Sequence, residues 1–140
     1  MTKIAFGNSR GQSVVEMTLM LPFLLILVGG ATDWGLAFLA SNVVQNAARE
    51  GARLAATLQN LEADDPRVLD AIDANIPDVG LFSSITRTNA APTGAACEQA
   101  VTVQVSVNYS FTFLRLIGLK DPIPIEHSTT MRYERQSLVC

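Results

Sequence analysis

The run MTLMLPFLLILVGGAT at residues 17–32 contains no charged side chain. Glu16 and Asp33 flank it, and a helix joining them would be about 26 Å long, close to the thickness of a hydrocarbon core. Trp34 follows, where an aromatic residue of a membrane–water interface is expected. We therefore predict a membrane-spanning helix, with Asp33 and Trp34 at the membrane interface.

The composition of the whole chain agrees with a membrane protein that has one small domain. Its 140 residues are 49% hydrophobic and 16% charged, whereas soluble domains are about 25% charged. Lys3 and Arg10 precede the apolar run, so the positive-inside rule predicts a cytoplasmic N-terminus and an extracytoplasmic remainder. That remainder is long enough to bury its own core. The net charge of −3 argues against a nucleic-acid partner, which requires a basic surface.

Two processing events are compatible with this N-terminus. A secretory signal peptide would have its apolar region at 17–28 and would be cut after Ala31, although Glu16 fits poorly beside that region. The other event is suggested by residues 10–16, RGQSVVE, which resemble the processing site of type IV prepilins. Such leaders are cut by a membrane aspartic peptidase just after the glycine, here Gly11, whose missing side chain leaves the backbone accessible.

Glu16 requires a physical explanation, because a carboxylate near the membrane is costly and is usually functional. One explanation is that Glu16 reaches the lipid headgroups from the end of the helix. The resemblance to pilin-like proteins implies another: Glu16 pairs with the positive N-terminus of a neighbouring subunit. Cleavage after Gly11 would create that amine at Gln12.

Further motifs make the resemblance more specific. Between residues 10 and 56 the chain contains, in order, the glycine and glutamate of the processing site, an apolar run with Pro22, the triplet Asp33-Trp34-Gly35, and NAAREGAR at 46–53. This order resembles the TadE-like family, the minor pilins or pseudopilins of the tight-adherence (type IVc) pilus. The resemblance implies a part in the assembly of a pilus used in surface adhesion.

The long N-terminal helix should continue well beyond the membrane. Nothing between Gln12 and Leu58 predicts a helix end, so we divide the chain into a leader at 1–11, a helix at 12–59 and a head at 60–140. Within the helix, residues 14–36 form the anchor and residues 37–58 the stalk. Small residues share one face of the stalk, among them Ala47, Ala48, Gly51 and Ala52. We expect that face to cover the chain's own sheet; subunit packing is the alternative.

The head is predicted to contain a short helix and a β-hairpin or small sheet, so the fold class is α+β. Asp65-Pro66 is typical of a helix start. Apolar and polar residues alternate strictly over residues 101–113, which predicts a half-buried strand. A second run at 123–133 keeps the same parity. Pairing the two runs as a hairpin would place Val105 opposite Met131 and Val103 opposite Tyr133.

The same pairing would place Cys97 beside Cys140. Two cysteines that meet outside the cytoplasm favour a disulfide. It would stabilise the head by about 3–4 kcal/mol through closure of the intervening loop. Two free thiols are the alternative.

The sequence provides no pattern for catalysis, and we predict no enzyme, no metal and no cofactor. One histidine and two cysteines are too few for most His/Cys metal sites. The acidic residues near the short helix lack the glycine and glutamate of a calcium-binding loop. His127 lies within an apolar series, with no serine or cysteine at a readable spacing.

The resemblance implies a single-pass protein of the bacterial inner membrane that is incorporated into an extracellular pilus. Its partners would be a prepilin peptidase, the inner-membrane assembly platform, the major pilin, other minor pilins and membrane lipid. The alternative function is a signal-anchored or secreted envelope binding module that never enters a filament. Cleavage after Gly11 favours the first function, and cleavage after Ala31 favours the second.

Overall fold

The structure, a computed structural model, describes residues 9–77, 80, 82–95, 98–118 and 122–134. In chain order its elements are helix α1 (Ser9–Thr57), helix α2 (Pro66–Asp73), strand β1 (Phe82–Asn89), strand β2 (Ala100–Tyr109), a 3₁₀ turn (Leu114–Ile117) and strand β3 (Ile123–Arg132). The three strands form one antiparallel sheet in the order β1-β2-β3. The predicted α+β class is therefore confirmed.

Helix α1 is 49 residues long and contains Pro22 in its interior. A proline removes one helical hydrogen bond, and membrane helices tolerate this loss. The helix is long and apolar enough to cross a membrane. Its first part, residues 11–28, is exposed throughout, and its second part packs against the rest of the chain.

Helix α2 begins where the sequence predicted. The Asp65 carboxylate accepts a hydrogen bond from the backbone N–H of Arg67 at 3.0 Å, and Pro66 occupies the first turn. This cap satisfies a backbone donor that the helix cannot pair internally. Val68 and Ile72 point from α2 into the core.

The predicted register of the hairpin is wrong by four residues. Val105 lies opposite His127 and Val101 lies opposite Met131, in place of the expected Val105–Met131 and Val103–Tyr133 pairs. A slide of four residues keeps every side chain on the same face of the sheet, so the alternation could not distinguish the two registers. In the observed register, the connection between β2 and β3 contains a 3₁₀ turn, and this turn packs against α1.

The disulfide prediction depended on that register. With the observed pairing, the hairpin no longer points to Cys140 as the partner of Cys97. Both cysteines lie outside the described residues, as do residues 1–8 of the predicted leader. The disulfide therefore remains a prediction without its geometric argument.

Strand β1 was not predicted from the sequence. Its residues, FSSITRTN, show no alternation of apolar and polar side chains, and most of them are exposed. It lies at one edge of the sheet and pairs with β2 alone; β3, at the other edge, alternates regularly between half-buried and exposed residues. An irregularity in the pairing lies between Phe82 and Ser84.

Helix α1 and helix α2 cover one face of the sheet, and the core lies between the helices and that face. The valines at alternate positions of β2 are buried there against small residues of α1. The C-terminal end of α1 is also tied to the sheet. The Tyr133 hydroxyl donates to the carbonyl of Leu58 at 2.6 Å, and the Glu134 N–H donates to that of Ala56 at 2.9 Å. These bonds satisfy carbonyls that a helix end leaves unpaired.

Candidate functional site

The exposed first part of α1 carries the predicted processing and subunit-contact residues. Gln12 and Glu16 lie four residues apart on one face of the helix, and the Gln12 amide donates to the Glu16 carboxylate at 3.3 Å. Both side chains are exposed, and a side chain placed at Gly11 would meet open space. Glu16 is therefore a carboxylate on an apolar helix surface, open to a cationic partner from outside this chain.

Large aliphatic and aromatic side chains surround that carboxylate. Those between residues 14 and 28 are all exposed, from Ile26 at 46% to Leu19 at 72%. A continuous apolar surface of this kind marks a contact with lipid or with another protein. The surface and Glu16 together form the candidate site.

Asp33 has a role that the sequence did not predict. Its side chain is fully buried, and its carboxylate accepts three hydrogen bonds, from the backbone N–H groups of Thr112 at 3.1 Å, Phe113 at 2.8 Å and Leu114 at 2.7 Å. These three N–H groups lie at the start of the 3₁₀ turn between β2 and β3. Asp33 thus caps that turn from the middle of α1, as an N-cap residue would do within one segment.

Aromatic side chains surround the junction at Asp33. The Tyr109 hydroxyl donates to the Asp33 carbonyl at 3.3 Å, and the Tyr109 ring meets that of Phe111 edge to face at 5.5 Å. Trp34 is 56% exposed, with its ring centroid 6.5 Å from that of Phe38 and 6.5 Å from that of Phe111. An exposed indole beside a packed aromatic cluster suits the predicted membrane interface.

The environment of Tyr109 affects its ionisation. Burial, and then the nearby Asp33 carboxylate, raise the pKa of the Tyr109 hydroxyl. Both causes act against a phenolate, because one withholds water and the other is a like charge. Tyr109 is therefore held in the protonated form that can donate to the Asp33 carbonyl.

The small residues of the second part of α1 pack inside the chain. Ala47, Ala48 and Ala52 are fully buried in the core. A Cβ atom at Gly51 would lie 2.6 Å from Cγ1 of Ile72 and 3.3 Å from Cγ1 of Val103. Gly51 therefore allows α2 and β2 to approach α1 closely, and this face is already covered by the head.

A hydroxyl–imidazole pair also links α1 to the sheet. The Ser41 hydroxyl lies 2.9 Å from Nε2 of His127, beside an apolar groove lined by Trp34 and Phe38. Within the described part of the chain, no group of three or more His, Cys, Asp and Glu side chains could hold a metal ion. The contact holds β3 against α1, which is a structural role.

The sequence singled out Glu16 and Trp34, which the structure places on the exposed surface, and Asp33, whose buried position and capping of the 3₁₀ turn it did not predict. Glu16, Asp33 and Trp34 stood out as polar or aromatic residues beside an apolar run. The partners of Asp33 are separated from it by 79 to 81 residues, and they are backbone groups without a sequence signature. No local pattern could have identified them.

The comparisons with known proteins bear on the same segment. The model of a family described as TadE-like protein matches residues 11–53. That range includes Glu16, the exposed apolar surface, Asp33 and most of the small-residue face. No curated protein and no solved structure matches the chain. The match confirms the resemblance found in the sequence: over residues 11–53 this chain is similar to TadE-like proteins, which are structural proteins associated with the tight-adherence pilus.

Proposed function

We propose that this chain is a minor pilin or pseudopilin of the tight-adherence pilus. Residues 1–11 are a leader removed by a prepilin peptidase, residues 12–59 are the anchor and stalk, and residues 60–140 are an extracytoplasmic head. The observation that carries the proposal is the division of α1. One part is enclosed by the head, and the other presents a long apolar surface bearing a single carboxylate.

The exposed apolar surface needs a non-aqueous environment. Burying it is favourable by about 25 cal/mol for each Å² of apolar area removed from water. A bilayer supplies that environment for the newly made protein, and the helices of neighbouring pilins supply it in a filament. A helix that suits both settings allows a subunit to pass from the membrane into the pilus.

Glu16 gives this surface its specificity. A carboxylate in an apolar setting is strongly destabilised unless a cation pairs with it. Cleavage after Gly11 creates an amine at Gln12, and in a neighbouring subunit that amine is a suitable partner for Glu16. The pair then fixes the axial position of one subunit against the next, which apolar contacts alone do not define.

The proposed topology follows from the charges at the N-terminus. Lys3 and Arg10 remain in the cytoplasm, α1 crosses the inner membrane, and the head lies on the outer side. The expected partners are the peptidase, the inner-membrane assembly platform, the major pilin and other minor pilins. The chain starts, caps or supports assembly and carries out no reaction.

The test is the intact mass of the protein purified from its native membrane without reduction. The proposal predicts a mature chain that starts at Gln12. A chain that starts at Thr32 would instead indicate a secreted binding module, and an uncut chain would contradict the leader. A mass two hydrogens lower than that of the dithiol would establish the Cys97–Cys140 disulfide in the same measurement.

A pair of glycine variants strengthens this test. Gly11→Leu should retain the leader, because its side chain obstructs the extended backbone in the peptidase. Gly7→Leu lies in the same leader away from the cut and should mature normally. Normal processing of both variants would contradict the assignment of Gly11.

A further inference from the structure

The connection between β2 and β3 reaches far down the side of α1. We call residues 113–118 the capping loop, because the Asp33 carboxylate caps its first turn. A Cβ atom at Gly29 would lie 2.8 Å from Cβ of Phe113, and one at Gly30 would lie 3.6 Å from Cδ2 of Leu114. The loop therefore runs from Asp33 toward the N-terminal part of the helix.

The far end of the loop lies beside the exposed apolar part of α1. Leu116 and Ile117 line a shared apolar groove with Leu25 and Ile26. From Asp33 to Leu25 the loop follows the helix for about 12 Å, at about 1.5 Å per residue. This distance is a large fraction of one leaflet of a bilayer.

Two side chains at the far end of the loop are apolar and exposed to solvent. Leu116 is 84% exposed and Ile117 is 50% exposed. Nothing in the described head covers them, and they continue the surface formed by residues 14–28. Because Leu25 and Ile26 belong to the segment that crosses the membrane in the proposed function, the lipid that surrounds them also reaches the loop.

We propose that the capping loop inserts into the leaflet on the side of the head, with Leu116 and Ile117 in contact with lipid acyl chains. The inference rests on the membrane anchor of the proposed function and adds a second point of membrane contact. The head then rests against the bilayer, and the effective membrane surface lies near Asp33 and Trp34.

The backbone of the loop is prepared for an apolar environment. Asp33 satisfies the N–H groups of residues 112–114. The N–H groups of Leu116 and Gly118 donate to the carbonyls of Phe113 at 3.0 Å and Arg115 at 3.2 Å. An unpaired backbone N–H is costly among acyl chains, so the pairing of these N–H groups lowers the cost of bringing the loop against lipid.

Arg115 is compatible with the same depth. Its side chain is exposed, and a long basic side chain can place its aliphatic part among lipid tails while its guanidinium reaches the phosphates. The loop thus combines two apolar side chains with one cation of the kind that lipid headgroups attract.

The test is fluorescence quenching of the full-length chain at low protein density in phosphatidylcholine vesicles with brominated acyl chains. Trp34 is the only tryptophan, so Trp34→Phe provides the background. In it, Leu116→Trp places the probe on the loop, and Ile85→Trp places it on the exposed edge strand of the head. Leu21→Trp, within the predicted anchor, reports whether the chain has inserted.

Insertion predicts that the tryptophan at 116 loses most of its emission to bromine, as the one at 21 does, and is protected from aqueous iodide. The tryptophan at 85 should be quenched by iodide alone. Iodide quenching at 116 without bromine quenching would overturn the proposal, and so would protection from both, which would indicate a second protein copy. Absence of bromine quenching at both 116 and 21 would overturn the proposed membrane anchor as well as the proposed insertion of the loop.

Discussion

The two parts of helix α1 have the same backbone conformation but different neighbours. Residues 14–28 carry large apolar side chains that contact little else in the chain, whereas residues 47–56 carry small ones that are buried against the sheet and α2. Side-chain size makes the difference. Small residues let other elements of the same chain approach the helix. Large residues leave the first part exposed, and the proposed function places lipid or a neighbouring helix there.

The two environments meet at residues 29–34. Phe113 packs on Gly29, and Asp33 holds the backbone that follows. We therefore expect substitutions in the first part to affect membrane residence and assembly, and substitutions in the second part to affect folding of the head. Four predictions test this division.

The largest effect is expected at Glu16. Glu16→Ala should nearly abolish incorporation into pili, because it removes the partner of the neighbouring amine, while leaving the melting temperature of the purified protein unchanged. The amount of protein in sheared pili and thermal unfolding in detergent would measure the two outcomes. Glu50→Ala is the matched control, since Glu50 lies on the packed part and forms only an exposed ion pair with Arg53, which contributes little. Wild-type piliation of the Glu16 variant would contradict the proposed role.

The next largest effect is expected at Asp33. Asp33→Ala should lower the free energy of unfolding by about 3–5 kcal/mol, because three backbone N–H groups lose a charged acceptor. Asp33→Asn keeps one acceptor oxygen and should lose less. Denaturant unfolding followed by the emission of Trp34 would measure both. Asp70→Ala, in an exposed position of α2, should have almost no effect, and an equal loss there would refute a special role for Asp33.

Two glycines of α1 should respond in opposite directions to alanine. Gly51→Ala should lower the free energy of unfolding by about 1–3 kcal/mol, because the new methyl group collides with Ile72. Gly35→Ala meets nothing within 4 Å and should raise the free energy of unfolding by about 0.5–1 kcal/mol through helix propensity. Chemical unfolding of the two variants would compare them. If both substitutions changed the free energy of unfolding in the same direction, close packing at Gly51 would not explain a difference between the two positions.

The smallest effect concerns alkaline pH. Burial and then the Asp33 carboxylate raise the pKa of Tyr109 in the folded protein, so the unfolded chain ionises first, near the ordinary tyrosine pKa of about 10. The stabilising contribution is complete below that pH and is lost as the pH rises through the higher pKa of the folded state. Melting temperatures across this range should fall more steeply for the wild type than for Tyr109→Phe. Parallel curves would exclude this linkage.

Part of this molecule could be predicted from its sequence because the deciding patterns are local. The length of α1 followed from a long stretch without a helix end, and the start of α2 followed from Asp65-Pro66. The alternation in β2 predicted its buried face. Glu16 stood out as a carboxylate beside an apolar run and within a prepilin-like processing site, and its proposed pairing still depends on the resemblance to pilin-like proteins.

The remainder depended on contacts between distant parts of the chain. Alternation defines a face of a strand but allows slides by an even number of residues, so it could not place Val105 opposite His127. Strand β1 is exposed on most of its length and has no pattern to detect. The cap at Asp33 joins a side chain to backbone groups about half a chain away, and only the folded arrangement reveals it.

The distance along the chain between Asp33 and its partners has a consequence for biosynthesis. Leu114 follows Asp33 by 81 residues, so α1 is made and can enter the bilayer long before its capping partners exist. In the proposed topology the Asp33 carboxylate stays hydrated during that interval, which keeps Asp33 out of the hydrocarbon and limits how deeply the nascent helix enters the bilayer. Arrival of residues 112–114 replaces this hydration shell. The proposed topology therefore implies that the final depth of the helix is set late in synthesis, when the head has folded.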